Sequence, residues 1–242
     1  MNGANPIDLL FGGMAKLGPG SDADTLHVLN LLPQLTQPFV VDAGCGTGRQ
    51  TLALAAQLQT VVHAVDTHEP FLTQLAQRAQ ARGIGHLVQT HCMDIAEIPH
   101  TFRAIDVLWS EGAAYSIGFA HALQIWRDAL QANGYLVVSE LSWLQHEAPA
   151  EVRRFFAAGY PEMRSMVENP EAAGYKVLGL HTLPRAAWRE GYYDVLHPRA
   201  ETLRLHPEET VRQFAMEMLE EIACFARAEE SYGYVFYVLQ KD

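Results

Sequence analysis

Residues 40–51, VVDAGCGTGRQT, place an aspartate, three glycines at alternate positions and a helix start directly behind an apolar run. Glycine accepts positive φ and lets another group approach the main chain with no Cβ in the way. The helix that follows offers free N–H groups and partial positive charge. Gly44, Gly46 and Gly48 read G-x-G-x-G, one position short of the G-x-G-x-x-G fingerprint of dinucleotide sites. Asp42 precedes the first glycine by two residues, where a carboxylate repels a pyrophosphate and suits an ammonium group. Asp66 follows Gly48 by 18 residues, near the ~20-residue offset of a ribose-binding acid. Two acids and three glycines at neighbouring strand ends point to a nucleoside with a cationic arm and no phosphates. The plainer alternative is a tight strand–helix turn with Asp66 capping a helix.

A second group with chemical potential is WSEGAAY, 109–115. Glu111 is a candidate general base or partner of a cationic substrate; equally, it suits the N-terminus of a helix. Tyr115 can offer a hydroxyl to an acceptor or simply pack.

These residues must be positioned by an alternating pattern of elements. PFVVDAG, TVVHAVD, GHLVQTHCMD, AIDVLWSEG and GYLVVSELSW read as short buried strands, most followed by a helix-length pattern. The helix IGFAHALQIWRDALQANG is expected to run to Gly134. Ser21, with Asp24 as a capping box, starts the helix DADTLHVLNLL. NPIDLLFGGMAKL (5–17) reads as a short helix broken by glycines, and Gly18–Pro19–Gly20 as a turn that can hinge a lid. Residues 144–230 read as a mostly helical insertion carrying one strand, GYKVLGLHTLP, and YGYVFYVLQ as the closing strand. The expected fold is α/β: a Rossmann-like, seven-stranded, mostly parallel sheet with helices on both faces and a mostly helical insertion before the last strand. No Pro/Gly/Ser linker breaks the chain, so 1–242 is read as a single domain. It comprises N-terminal helices or lid (1–37), a cofactor-binding core (38–143) and a substrate-side insertion with the final strands (144–242).

Bulk properties narrow the partners. Seventeen basic against 28 acidic residues give a net charge of −11, which disfavours nucleic acid and anionic membranes. Cys45, Cys92 and Cys224 are scattered and form no CxxC, so neither disulfides nor a cysteine zinc site is expected and a cytoplasmic location fits. The histidines show no HxH or HxxxH spacing. No long apolar span or leader pattern is evident. Apolar faces on the insertion helices leave a homodimer open.

Asp42, Gly44, Gly46 and Gly48 (D-x-G-x-G-x-G), Asp66 closing the second strand, Asp94 in CMDI and the fourth-strand end DVLWSEGAAY resemble the motifs of class I methyltransferases that use S-adenosylmethionine (SAM). GPGS, WSEGA, GYL, VSE and the terminal YGYVF extend the likeness, over almost the whole chain, to UbiE-like small-molecule methyltransferases. The resemblance implies SAM as cofactor, S-adenosylhomocysteine (SAH) as product and a small-molecule acceptor. It implies that Asp42, Ala43, Gly44, Cys45, Gly46, Thr47, Gly48 and Gln50 surround the methionine arm. Asp66 and Thr67 would meet the ribose, Met93, Asp94 and Ile95 the adenine, and Ser110 the methyl-transfer end. Arg49 is expected on the surface. Candidate acceptor residues are Trp109, Glu140, Trp143, Trp188, Tyr192 and Tyr232, with Glu111 and Tyr115 as catalytic candidates. One departure is THEPF after Asp66, where many relatives are more apolar, so His68 can alter the adenosine edge. The sequence lacks (D/N)-P-P-Y and Pro-Cys after the fourth strand, which disfavours amino-methylation of DNA or protein amides and covalent cytosine chemistry. Two rivals stand beside this reading: an NAD(P)-linked oxidoreductase and a non-catalytic SAM-binding protein.

Overall fold

The computed structural model describes residues 5–159, 164–165, 173–228 and 230–242. The helices are α1 (Pro6–Phe11), α2 (Asp22–Leu29), α3 (Arg49–Leu58), α4 (Glu69–Ala81), α5 (Ile98–Thr101), α6 (Phe119–Ala129), α7 (Ala150–Gly159), α8 (Asp194–Leu203) and α9 (Glu209–Arg227). The strands are β1 (Val40–Ala43), β2 (Val62–Asp66), β3 (Val88–Cys92), β4 (Ile105–Glu111), β5 (Leu130–Trp143), β6 (Arg164–Ser165), β7 (Tyr175–Thr182) and β8 (Tyr232–Lys241).

The main path of the sheet is β3-β2-β1-β4-β5-β8-β7, with the two-residue β6 beside the end of β5. β1 to β5 pair in parallel, whereas β8 runs antiparallel to both β5 and β7. The expected seven-stranded, mostly parallel architecture is therefore present. β6 was not expected, and β7 divides the insertion into α7 on one side and α8–α9 on the other.

Alternation along each strand decides which face a residue serves. Leu108 of β4, Leu136 and Val138 of β5 and Val235 and Tyr237 of β8 join one core layer, with Trp126 of α6. Val107 and Trp109, Val137, and Phe236 and Val238 join the opposite layer, with Val28 of α2 and Leu54 of α3. A third cluster lies over the carboxyl ends of the parallel strands. It joins Leu10 of α1, Phe156 of α7, Leu196 of α8 and Met218 and Phe225 of α9 to the aromatic groups Trp188, Tyr193 and Tyr232.

Two local expectations are corrected. The helix expected to reach Gly134 stops at Ala129, because Leu130 is already extended and pairs with Ile105. Residues 130–134 form a bulged start to β5, with Asn133 at φ 60°. The helix over 5–17 is confined to α1, closed by Gly12. The capping box at Ser21 and Asp24 is present.

Candidate functional site

The turn after β1 is built by three consecutive anchoring devices. The Gly44 and Cys45 N–H groups both donate to Val65 O at 2.9 Å, clamping the turn to β2. The Gly46 N–H donates to Asp66 Oδ2 at 2.8 Å, and the His68 N–H to Asp66 Oδ1 at 2.9 Å. Beneath the turn, fully buried Asp42 accepts from Thr51 Oγ1 at 2.5 Å, and Gln50 Nε2 lies 3.5 Å from its other oxygen. Burial raises the Asp42 carboxyl to about 7, although Thr51 and Gln50 favour its charged form.

Gly44 and Gly48 are required here for two reasons at once. Their φ angles are +74° and +80°, in the left-handed region. A Cβ on Gly44 would lie 2.2 Å from Ala113 Cβ, and one on Gly48 2.2 Å from Leu75 Cδ1.

A cavity of about 660 Å³ opens above this turn. That volume is in the usual range for small-molecule and cofactor sites. Its floor is formed by the strand ends: Gly44, Cys45, Gly46, Gln50, Asp66, Thr67, Asp94 and Ile95. Its roof is aromatic and comes from α1, α7, α9, the segment before α8 and the start of β8, with Phe11, Phe156, Trp188, Tyr193, Phe214 and Tyr232, and Tyr192 beside Tyr193. Lys16 and Leu17 of the N-terminal segment, together with Glu111, Tyr115 and Ser139, close the side.

Of the residues proposed from sequence, thirteen meet at this one cavity: the eight of the floor, with Glu111, Tyr115, Trp188, Tyr192 and Tyr232. The remainder stand behind it. Asp42 supports α3 and does not reach the cavity wall. Thr47 Oγ1 donates to Ala15 O at 2.9 Å, which ties the turn to the N-terminal segment. Ser110 Oγ donates to Ala43 O at 3.0 Å and joins β4 to β1. The Met93 N–H bonds Asp66 O at 3.1 Å. Gly48 begins α3. Trp109 is a core residue of the layer it shares with Val107, α2 and α3, below the strand end, and its indole N–H donates to Glu111 Oε1 at 3.0 Å. Trp143 packs edge-on to Phe156 and Tyr232 and carries Arg153 over its ring. Glu140 sits in β5 opposite Val235 of β8.

Arg49 corrects the surface expectation. Its side chain is 12% exposed and its guanidinium bonds Asp22 at 2.9 Å, so it pins α2 to the start of α3.

Glu111 is a fully engaged carboxylate. Lys16 Nζ donates to Oε2 at 2.7 Å, while Thr25 Oγ1 at 2.7 Å and Trp109 Nε1 at 3.0 Å donate to Oε1. Burial alone would raise its carboxyl, but the Lys16 ammonium and these donors outweigh it and hold the group below the ordinary value. Such a group anchors; it is poorly suited to take a proton. Cys45 is equally inert, because burial and the Asp42 and Asp66 charges push its thiol well up.

Sequence reasoning passed over Lys16 and Glu221. Glu221 of α9 lines the aromatic end of the cavity and accepts from Tyr193 Oη at 2.7 Å. A signal existed: Glu221 falls three residues after Met218 and four before Phe225, both buried, and so lies on the apolar face of α9. Burial raises its carboxyl.

Residues 40–134 match the family model of the methyltransferase domain. Among curated proteins, the chain is similar to (+)-O-methylkolavelool synthase from Herpetosiphon aurantiacus, 24% identical over 54% of this chain and 48% of that protein. The match thus spans about half of that relative's length. Among solved structures, YjhP from E. coli superposes with a TM-score of 0.84 at 16% identity, covering 99% of this chain and 100% of that one. A SAM-dependent methyltransferase from Thiobacillus denitrificans, in complex with SAH, superposes at 0.81 with 18% identity and full coverage of both chains. The chain shares the fold of these structures. No helix among the described residues is long and apolar enough to cross a membrane.

Proposed function

Because residues 40–134 are a methyltransferase domain, we propose that the chain transfers the methyl group of SAM to a small-molecule acceptor. The observation that carries this reading is the continuity of one cavity. Its floor is the glycine turn with Asp66 and Asp94, and its roof is an aromatic cap.

The residues of the floor suit SAM on their own chemistry. Asp66 is fixed by two backbone N–H groups, one on each carboxylate oxygen, which leaves further lone pairs for a ribose diol. Asp94 is fixed by the Ala96 N–H at 2.8 Å and borders the adenine position together with Ile95. Gly44, Cys45 and Gly46 present main chain to the methionine arm. No arginine lines the cavity among the described residues, so a pyrophosphate would find acids and no guanidinium, which counts against the NAD(P) reading.

SAM supplies an electrophilic methyl on a sulfonium; the acceptor–methyl bond forms as the carbon–sulfur bond breaks, and a neutral thioether leaves. Such a displacement asks the protein mainly for alignment and exclusion of water. The floor fixes one partner, and the aromatic roof encloses the other. With Glu111 held by Lys16, Tyr115 is one of the hydroxyls at the cavity wall, and partial burial with the Glu140 and Glu221 charges keeps it protonated. It serves as a hydrogen-bonding group for the acceptor. A small acceptor also agrees with the net charge of −11, which disfavours a polyanionic partner.

The deciding experiment is calorimetric titration with SAM, SAH and NADH in parallel, followed by an acceptor screen that reads SAH release. Micromolar binding of SAM and SAH without NADH supports the reading. NADH binding alone overturns it. SAM binding with no SAH release from any acceptor favours a non-catalytic SAM-binding protein.

A further inference from the structure

The aromatic end of the cavity has one acid and no cation. Of the acids that line the cavity, Asp66 and Asp94 stand on the floor, and Glu111 is matched by Lys16 at 2.7 Å. Lys16 is also the only basic side chain among the described lining residues, so its charge is already compensated. Glu221 remains. Its hydrogen-bond partner is a neutral phenol, Tyr193, at 2.7 Å. The lining at this end is aromatic: Trp188 stacks on Tyr234 at 5.4 Å, and Tyr192 leans on Tyr193 at 4.9 Å.

Each class of acceptor meets this lining differently. A carboxylate or diphosphate would be desolvated beside an acid with no cation to pair it. A plain hydrocarbon would satisfy the rings and leave Glu221 without a charged partner. An ammonium would gain the carboxylate and the negative faces of the rings together. Resting on the methyltransferase reading, we infer that the acceptor is an apolar molecule bearing a single basic amine, received by Glu221 within the aromatic roof.

The amine attacks the methyl carbon through its nitrogen lone pair. The bound ammonium first gives one proton to the Glu221 carboxylate, which frees that lone pair. A carbon–nitrogen bond then forms as the carbon–sulfur bond breaks, and SAH leaves as the neutral thioether. The product leaves as the N-methylammonium, and Glu221 passes its proton to water. Tyr193 orients the carboxylate through its hydroxyl.

The test uses the full chain saturated with SAH and three indole probes of matched size: tryptamine, tryptophol and indolepropionate. Calorimetry is expected to show tryptamine binding about tenfold or more tighter than either of the others, the scale of one charge-assisted hydrogen bond. Glu221→Gln is expected to abolish that preference while leaving SAH affinity and the melting temperature unchanged. Tyr193→Phe, which keeps the carboxylate, should retain it. Equal binding of amine and alcohol, preference for the acid, an unaltered preference in Glu221→Gln, or no binding of any probe to SAH-loaded protein each overturns the amine assignment. If SAH itself fails to bind, the methyltransferase reading falls, and the acceptor assignment with it.

Discussion

Lys16 Nζ stands 2.7 Å from Glu111 Oε2, so a residue of the N-terminal segment is bonded to the last residue of β4 at the cavity wall. The two side chains are 12% and 3% exposed, which makes this a buried ion pair. Further ties hold the same segment. Arg78 of α4 donates to Gly13, Met14 and Ala15 carbonyls, and Arg199 of α8 to those of Leu10 and Gly12. The segment thus joins the parallel-sheet half to the helical roof and completes the cavity.

Lys16→Met should therefore act on both stability and cofactor binding. Removing one partner of a buried pair strands the other charge, at a cost of about 3–5 kcal/mol. Urea unfolding measures the loss. Adding Glu111→Gln removes the stranded charge and should recover most of it, since Gln still accepts from Thr25 and Trp109. Calorimetry with SAH should show weaker binding in the single variant than in the double. Equal stability of wild type and Lys16→Met would contradict the buried pair.

Asp66→Ala should weaken SAM binding by roughly 10–100-fold, the equivalent of hydrogen bonds to a charged group. The variant also releases the Gly46 and His68 N–H groups that Asp66 holds. Circular dichroism should confirm an intact fold, because Gly44 and Cys45 remain clamped to Val65. Wild-type affinity in a folded Asp66→Ala protein would sink the ribose assignment.

Gly44→Ala tests whether the turn is set by space or by backbone angle. The new methyl would meet Ala113 Cβ at 2.2 Å and sit at φ +74°. Gly44→Ala should lower both melting temperature and SAH affinity. Pairing it with Ala113→Gly relieves the clash and leaves the strain, about 1–3 kcal/mol for an unfavourable backbone region. Partial rescue is the expected result; full rescue would mean that space alone demanded glycine.

How far the sequence carried differs between floor and roof, for a physical reason. The floor is local: turn, strand end and helix start follow one another within Val40–Thr51, so spacing alone brings Asp42, Gly44 and Gly46 together. Asp66 adds one crossover of expected length. The roof is assembled from α1, α7 and α9, with more than a hundred residues between α1 and the other two, and no spacing rule joins Phe156 to Phe214. Trp109 shows a second limit. Glu111, two residues on and on the same face of β4, lines the cavity at the strand end, whereas the Trp109 ring lies one step deeper, buried in the layer with α2 and α3, and reaches Glu111 only through its indole N–H. From sequence, Glu111 suits a base and a helix-end acid alike, because the partner that holds it, Lys16, lies 95 residues away.

Acid should act on the folded state in two opposing ways, and variants can separate them. His63 and His91, 3.0 Å apart on β2 and β3, are both held below the ordinary 6.5, by burial first and, for His63, by its neighbour. Below 6.5 the unfolded chain takes up protons that the folded pair resists, so stability falls as pH drops through that range. Asp42 works the other way. Its carboxyl is raised from 3.8 to about 7, so the folded state binds a proton first and stability rises as pH falls from about 7 toward 3.8. Chemical denaturation of His63→Phe between pH 7 and 5 should therefore lose less stability on acidification than wild type. Asp42→Asn, which keeps an acceptor for Thr51 and cannot titrate, should lose more. Parallel pH profiles for wild type and Asp42→Asn would show that Asp42 is charged throughout and not raised by its burial.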